Sequence, residues 1–472
     1  MLIKNVLVSA LLLLGGLSTQ ADPISRAEAR QVAQAFITIN DPSTDAVANQ
    51  PYYVFSRGAG KGYVIVSGDD ATTPIIGYTD HGDFLKADMP EGLQMMLDAW
   101  AQRITRLQQM PGRPVTPRRS IGKRLAKDQY KKNWTTVKPL VPTHWHQSYP
   151  YNIFAPNRSD NGAKTMTGCV ATAGAQIAYY FRRDCPTELP YDTPTYSGSW
   201  FNAPVTFSLP KGTPLRWDLM RLSGSGTAKQ DTAVAVLMYA MGTYSHLGYG
   251  SGDGTATAGQ TSDMGITLAN DFLLDNDCLY KSGTSQSSWE TTIYNNLSSG
   301  RPLFYSGANE SAGGHAVVLD GYEANTGLYH FNFGWGGQGD GYYTVDDATG
   351  MNGFNTYQTI LANITPSKPN LSATLSATNV YYRSTATVRA VVRNNSTLDY
   401  KGFYAFSSAK GEITGAAKQQ DLTTTTAASF LQRWCRRPAN SCPSRSRRPA
   451  PPAGPWVSPR RCASGCSLRH LG

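Results

Sequence analysis

The sequence predicts an α+β protein built in successive blocks, and three observations predict it. Amphipathic helical spacing and short β-rich runs occur in separate stretches of the 472 residues. A Pro-rich basic segment at 111–124 and the Pro-containing run at 366–369 divide those stretches. Between the two dividers, helical patterns come early and Gly-punctuated strands late, as in a mixed domain.

Met1 to Ala21 carries Lys4, an apolar run from Val6 to Leu17 and then Ser-Thr-Gln-Ala, the layout of a cleavable secretory signal. That run is too short for a membrane span, and no later segment offers ~20 continuous apolar residues, so no stable membrane insertion is expected. Ser25-Arg-Ala-Glu28 reads as a capping box opening an Ala-rich helix through Phe36. Tyr52 to Phe55 and Gly62 to Ser67 read as strands, followed by a turn at Gly68-Asp69-Asp70. A turn suits the two Asp better than a carboxylate pair does, because adjacent strand residues face opposite ways. From Pro90 to Leu107, Leu93, Met96, Leu97, Trp100, Ile104 and Leu107 share one helical face and predict a packed core stripe.

Residues 111–124 contain basic residues and prolines but no acid, so they cannot bury apolar surface and should be exposed and easily cleaved. Their position makes 22–124 a propeptide; the plainer alternative is an interdomain linker that is never cut. The body, 125–364, has a small-residue helix from Val170 to Phe181. Strands follow at Leu303 to Tyr305, Ala316 to Asp320, Leu328 to Asn332 and Tyr342 to Val345. Gly248 to Gly259 and Gly334 to Gly341 lack the strand-to-helix setting of a phosphate loop and read as loops whose backbone can lie close to a peptide. Asn370 to Phe406 alternates as a β-sandwich does, but 365–430 is short of the ~100 residues such a domain needs.

Composition changes abruptly at Leu431. From there to Gly472 the chain has nine Arg, no Lys and no acidic residue, so nine of the ten net positive charges sit in this tail. Nucleic-acid binding by the body thereby loses its main support. A shifted reading frame from about Leu431 accounts for an Arg/Pro/Cys-rich tail inside an unfinished domain; a basic arm for anionic surfaces is the functional rival. Four of the seven cysteines lie in the tail, leaving Cys169, Cys185 and Cys278. Three are too few for a disulfide scaffold, and at least one free thiol is expected.

Cys169 lies in Thr-Gly-Cys-Val-Ala-Thr at the start of the predicted helix, where unpaired N–H groups and the helix dipole favour a thiolate. His315 follows 146 residues later in Gly-Gly-His-Ala-Val-Val-Leu-Asp-Gly, and Asn332 after it. A Cys and a His distant in sequence and joined by the fold are the working pair of a papain-like thiol protease. Singly, Cys169 reads as easily as an inert buried thiol and His315 as a core histidine. His144 and His146 flank Trp145 and could share a strand face toward zinc, but no accompanying ligand motif supports that, and surface histidines are the better reading. No cofactor and no metal is implied.

Several separate motifs resemble the streptopain family of secreted bacterial papain-like cysteine peptidases. They are Thr167-Gly-Cys-Val-Ala-Thr-Ala173 with Gln176-Ile177, Gly313-Gly-His-Ala-Val317, Asn332-Phe-Gly-Trp-Gly-Gly337 and Asp340-Gly-Tyr-Tyr343. Upstream, Trp145-His-Gln147 and Pro150-Tyr-Asn152 resemble the segment before the family's nucleophile. Gly62-Tyr-Val-Ile-Val-Ser67 with Asp69-Asp70 resembles its propeptide. Within the family the chain is most similar to the thiol protease/haemagglutinin type of oral anaerobes. The resemblance implies a two-lobed fold, Cys169 as nucleophile and His315 as general acid and base. It further implies Gln147 as an oxyanion donor beside the Cys169 N–H, and Asn332 and Trp335 to orient and shield the imidazole. Phe333 departs from the Trp usual in the family.

Two functions are therefore in view. The first is a secreted cysteine endopeptidase made as a zymogen, acting on protein or peptide substrates through a Cys169 thioester. The second is a non-catalytic haemagglutinin or adhesin that binds host cell-surface components through aromatic loops and the sandwich fragment; 26 Tyr and nine Trp supply material for it.

Overall fold

The computed structural model describes residues 23–39, 50–85, 89–110, 133–198, 202–251, 257–309, 313–345, 356–367, 370–378, 385–408, 418–422, 427–435 and 466–471. The expected signal at 1–21 and the basic segment at 111–124 lie outside the described residues. The chain divides into two compact units. One comprises Met1–Ile177, Glu188–Thr267 and Asn276–Ile364; the other comprises Ala178–Thr187, Leu268–Asp275 and Thr365–Gly472.

In the first unit, Ser25 caps helix α1 (Arg26–Phe36) with the expected capping box. Its hydroxyl accepts from the Glu28 N–H while the Glu28 carboxylate accepts from the Ser25 N–H. Ala29, Val32 and Ala33 form the buried face of α1. They pack with Phe55, Val64, Val66 and Ile75, from strands β1 (Tyr52–Ser56), β2 (Tyr63–Ser67) and β3 (Ile75–Thr79). Alternate residues Val54, Ile65 and Ile76 face the other way and join the predicted stripe of helix α2 (Glu91–Gln109). One three-stranded ribbon thus carries a helix on each face.

Beyond it come α3 (Cys169–Tyr180), α4 (Ala228–Tyr244), β4 (Gly248–Tyr249), β5 (Thr257–Ala258), α5 (Thr261–Phe272), β6 (Leu274–Tyr280) and α6 (Gln286–Ser298). Strands β7 (Leu303–Asn309), β8 (Gly313–Glu323), β9 (Leu328–Asn332), β10 (Gly341–Tyr343) and β11 (Thr356–Pro366) complete the body. Small residues let α3 sit close to its neighbours: a Cβ on Gly174 would lie 2.4 Å from the Met264 sulfur. Helix α4 buries nearly its whole circumference, so it has no amphipathic stripe to betray it in sequence.

Nine strands form one sheet in the order β1-β2-β3-β10-β9-β8-β7-β11-β6. The N-terminal ribbon therefore continues the sheet of the body through β3 and β10, with Tyr342 opposite Tyr78 and Tyr343 opposite Gly77. Tyr78 stacks on Tyr342 with centroids 5.3 Å apart, and its hydroxyl donates to the Glu323 carboxylate. Tyr343 lies over Gly77 so closely that a Cβ there would sit 2.1 Å from the ring. A single hydrophobic cluster runs from Leu93, Met96 and Trp100 of α2 to Val317, Phe331, Phe333 and Tyr343 of the body.

The second unit contains β12 (Leu371–Thr378), β13 (Thr385–Asn394), β14 (Tyr400–Ser408), β15 (Lys418–Leu422), β16 (Ala427–Cys435) and β17 (Cys466–Leu471). They form two three-stranded sheets, β12-β13-β16 and β15-β14-β17. The expected boundary at residue 430 falls within β16. β16 runs through Leu431 in register with β13, and β17 lies inside the Arg-rich tail paired with β14. Strand ladders are made by main-chain groups, so an altered side-chain vocabulary does not prevent them. Among the described residues no helix is long and apolar enough to cross a membrane.

Gly77→Val should destabilise the full-length chain by about 1–3 kcal/mol, through overpacking against Tyr343. Urea unfolding followed by tryptophan fluorescence measures this, and an unchanged midpoint would show that Gly77 does not shape the seam.

Candidate active site

Helix α3 begins at Cys169 itself, so its sulfur lies among the unpaired N–H groups of the first turn. Gly168 makes this possible. Its φ of +91° is left-handed, and a Cβ there would sit 2.9 Å from the Thr257 side chain. Burial pushes the Cys169 thiol up to about 11, and the nearby Glu91 carboxylate acts in the same direction. The backbone N–H groups of Ala316, Val170 and Cys169 pull the other way without prevailing. Cys169, Cys185 and Cys278 are all free thiols.

His315 lies on β8 opposite Gly307 and is 4% exposed. Burial pushes its imidazole down to about 4, against the Glu91 carboxylate and a hydrogen bond to the Phe333 backbone, both of which favour the charged ring. Nε2 has no hydrogen-bond partner, so the bond to the Phe333 carbonyl falls to Nδ1, and Nε2 is not paired with the Cys169 sulfur. The first turn of α2 explains the burial. A Cβ on Gly92 would lie 2.3 Å from His315 Cδ2 and 2.9 Å from Nε2. Pro90 and Leu93 press on Gly339 in the same way, so the first turn of α2 lies directly on the Nε2 edge of the ring.

Gln147 is placed beside the Cys169 turn by its carbonyl, which accepts from the Thr167 N–H at 2.9 Å. Its side chain is 3% exposed, and Nε2 has no partner, leaving a buried amide donor unused. Asn332, expected to orient the imidazole, is held by groups other than the ring. Its Nδ2 donates to the Thr143 carbonyl at 2.7 Å, and its Oδ1 accepts from Gln176 Nε2 and the Gly334 N–H, both at 3.0 Å. The group that holds His315 is a main-chain carbonyl, which no side-chain motif announces. Phe333 supplies it, and its ring is anchored beside Phe331 and edge-on to Tyr343 at 5.4 Å, so the missing indole donor leaves the carbonyl's place intact. Trp335 packs on His146 at 4.6 Å, where shielding of His315 was expected.

The two histidines around Trp145 serve different neighbours. His146 Nδ1 accepts from the N–H groups of Gln147 and Ser148 at 2.9 and 3.0 Å, while His144 Nδ1 meets the Asp340 carboxylate at 3.0 Å. Among the described residues no group of three His, Cys, Asp or Glu side chains could hold a metal ion. Asp340, fully buried, also accepts from the Phe333 N–H at 2.8 Å and ties down the loop after β9. Asp320 does the same for residues 140–141, accepting from the Val141 N–H at 2.8 Å and meeting His330 at 2.6 Å. Sequence reasoning assigned neither carboxylate a role, although both lie in quoted motifs beside glycines, Asp320 before Gly321 and Asp340 before Gly341.

A thiol at a helix N-terminus, an imidazole held at Nδ1, and an idle amide donor beside the thiol define a papain-like cysteine peptidase, here with its site covered by an N-terminal domain. Comparison with known proteins agrees. Residues 145–343 match the Peptidase C10 family, and residues 21–104, ahead of them, match the Spi protease inhibitor family. It is 29% identical over 336 residues to streptopain of Streptococcus pyogenes, covering 66% of this chain and 80% of that one. It is 25% identical over 380 residues to the thiol protease/hemagglutinin PrtT of Porphyromonas gingivalis, covering 74% of this chain but 42% of that protein. A prointerpain A fragment from Prevotella intermedia superposes with a TM-score of 0.56 at 26% identity, over 67% of this chain and 96% of the fragment.

A thiol held near 11 is almost wholly protonated at neutral pH, and a raised thiol yields thiolate only as the pH climbs toward that value. In the intact chain, alkylation of Cys169 by iodoacetamide should therefore be slow at pH 7 and rise only in the alkaline range. Mass spectrometry of the labelled peptide over pH 6 to 10 measures it, and fast labelling at pH 7 would contradict the arrangement.

Proposed function

We propose that the protein is a secreted cysteine endopeptidase made as a zymogen, with 22–124 as its propeptide. The observation that carries this reading is Gly92 lying against the Nε2 edge of His315 over a site that is otherwise assembled. With α2 withdrawn, water and substrate reach the dyad. Burial then no longer opposes charge on sulfur and imidazole, and Nε2 can pair with the thiolate. Cys169 Sγ attacks the scissile carbonyl, and the Gln147 amide with the Cys169 N–H receives the oxyanion. The His315 imidazolium protonates the leaving amine, after which the neutral ring takes a proton from water as it hydrolyses the thioester. Phe333 holds the ring through Nδ1 during both transfers. The secretory layout of 1–21 supports export, and the basic segment at 111–124 supports a cut between propeptide and enzyme. For the haemagglutinin reading, the aromatic content of the chain is joined by the name of one relative, of which the chain spans 42%.

The deciding experiment incubates purified wild-type and Cys169→Ala precursor with denatured casein under reducing conditions, with and without a thiol-alkylating inhibitor. Casein loss and a shift of the precursor to a smaller form are expected from wild type alone, both blocked by the inhibitor. Equal cleavage by Cys169→Ala would end the proposal.

Gly92→Ala provides a second check. Alanine favours the helix by about 1 kcal/mol, yet its Cβ would strike His315. Processing of the precursor should become about tenfold faster, because the clash costs the docked state about 1–3 kcal/mol. Slower processing on a time-course gel would mean that the contact is looser than described.

A further inference from the structure

We infer that Gln176 is a positioning residue for His315, acting through Asn332 and the Phe333–Gly334 peptide; this rests on the peptidase reading above. Three side chains, Thr143, Gln176 and Asn332, are each 1% exposed or less. Backbone groups decide which way both amides face. Gln176 Oε1 accepts from the Trp145 N–H at 3.2 Å and the Thr143 hydroxyl at 3.0 Å, so Nε2 is the end that meets Asn332. Asn332 is fixed in turn by its Nδ2 on the Thr143 carbonyl, which leaves Oδ1 to accept from Gln176 Nε2 and the Gly334 N–H.

The Gly334 N–H belongs to the same planar peptide as the Phe333 carbonyl, so fixing the N–H fixes the direction of the oxygen that accepts from His315 Nδ1. Accepting a bond at that N–H also polarises the peptide and strengthens its oxygen as an acceptor. On the far side, Asp340 holds the Phe333 N–H, so both peptides flanking Phe333 are pinned. Gln176 lies seven residues after Cys169 on the same helix, two turns along and on the same face. The path from sulfur to imidazole therefore runs along one rigid helix and three hydrogen bonds. Gln176 also holds the Trp145 N–H, two residues before Gln147, so one side chain sets the places of nucleophile, base and oxyanion donor relative to one another.

The test uses the full-length chain as wild type, Gln176→Leu and Gln176→Glu. Each is processed by the same trace of active enzyme, and its active sites are counted by stoichiometric alkylation. Leucine removes both ends of the amide; ionised glutamate keeps length and acceptor but brings no N–H to Asn332. Per active site, kcat should fall about 100-fold in both, as for a misplaced catalytic group. KM should stay within about threefold. The low-pH limb of Cys169 alkylation should move upward, because the imidazolium no longer lies against the thiolate. Should Gln176→Leu not fold, Gln176→Glu decides alone. Wild-type kcat per active site and an unmoved limb in a soluble variant, with only a lowered Tm, would make Gln176 purely structural and overturn the inference. An inactive, processed wild type would instead remove the peptidase reading on which it rests.

Discussion

The hydrogen bond between Gln176 and Asn332 is the buried contact that ties together the segments carrying Cys169, Gln147 and Phe333. The site draws on three separate segments: the strand-like run before Gln147, the helix that starts at Cys169, and the loop after β9. Apolar packing brings such segments together without fixing direction, because the hydrophobic effect is non-directional. Buried amides are directional, and each one left unsatisfied costs about 1–3 kcal/mol. Both amide ends of Gln176 and of Asn332 are satisfied, so the segments have one low-energy arrangement with respect to each other.

The same core explains why the N-terminal domain is held so firmly. It adds three strands to the sheet, places α2 in the hydrophobic cluster that contains Phe333, and seats Gly92 on the imidazole. The electrostatic consequence follows from burial: low dielectric disfavours thiolate and imidazolium alike, driving the thiol up to about 11 and the imidazole down to about 4. The Glu91 carboxylate opposes the thiolate and favours the imidazolium, yet burial dominates both groups. An ion pair needs both charges at once, and the covered site disfavours each.

Much of the fold was legible because its cues are local. The Ser25 capping box, the stripe of α2, the small-residue helix after Gly168 and the strand Leu328–Asn332 all stand where their spacing puts them. Where local cues fail, so does the reading. Helix α4 is apolar on every side and shows no stripe, and β3 is a five-residue run that pairs with β2 on one side and, on the other, with β10 more than 260 residues away. In the tail, composition changes at Leu431 while main-chain pairing continues through β16 and β17, because ladder hydrogen bonds do not depend on side-chain vocabulary.

By itself the sequence determined the candidate nucleophile and base and the kind of chemistry, since residue type and helix position govern whether a thiol can become a nucleophile. Only the tertiary structure decided what holds His315. The holder is a backbone carbonyl, common to every residue and therefore invisible in a motif, and Asn332 reaches the ring only through the neighbouring peptide. It also decided that Trp335 packs on His146, and that Gly92 covers the ring. These are contacts between residues remote in the chain, and no local periodicity encodes which of two buried surfaces will meet.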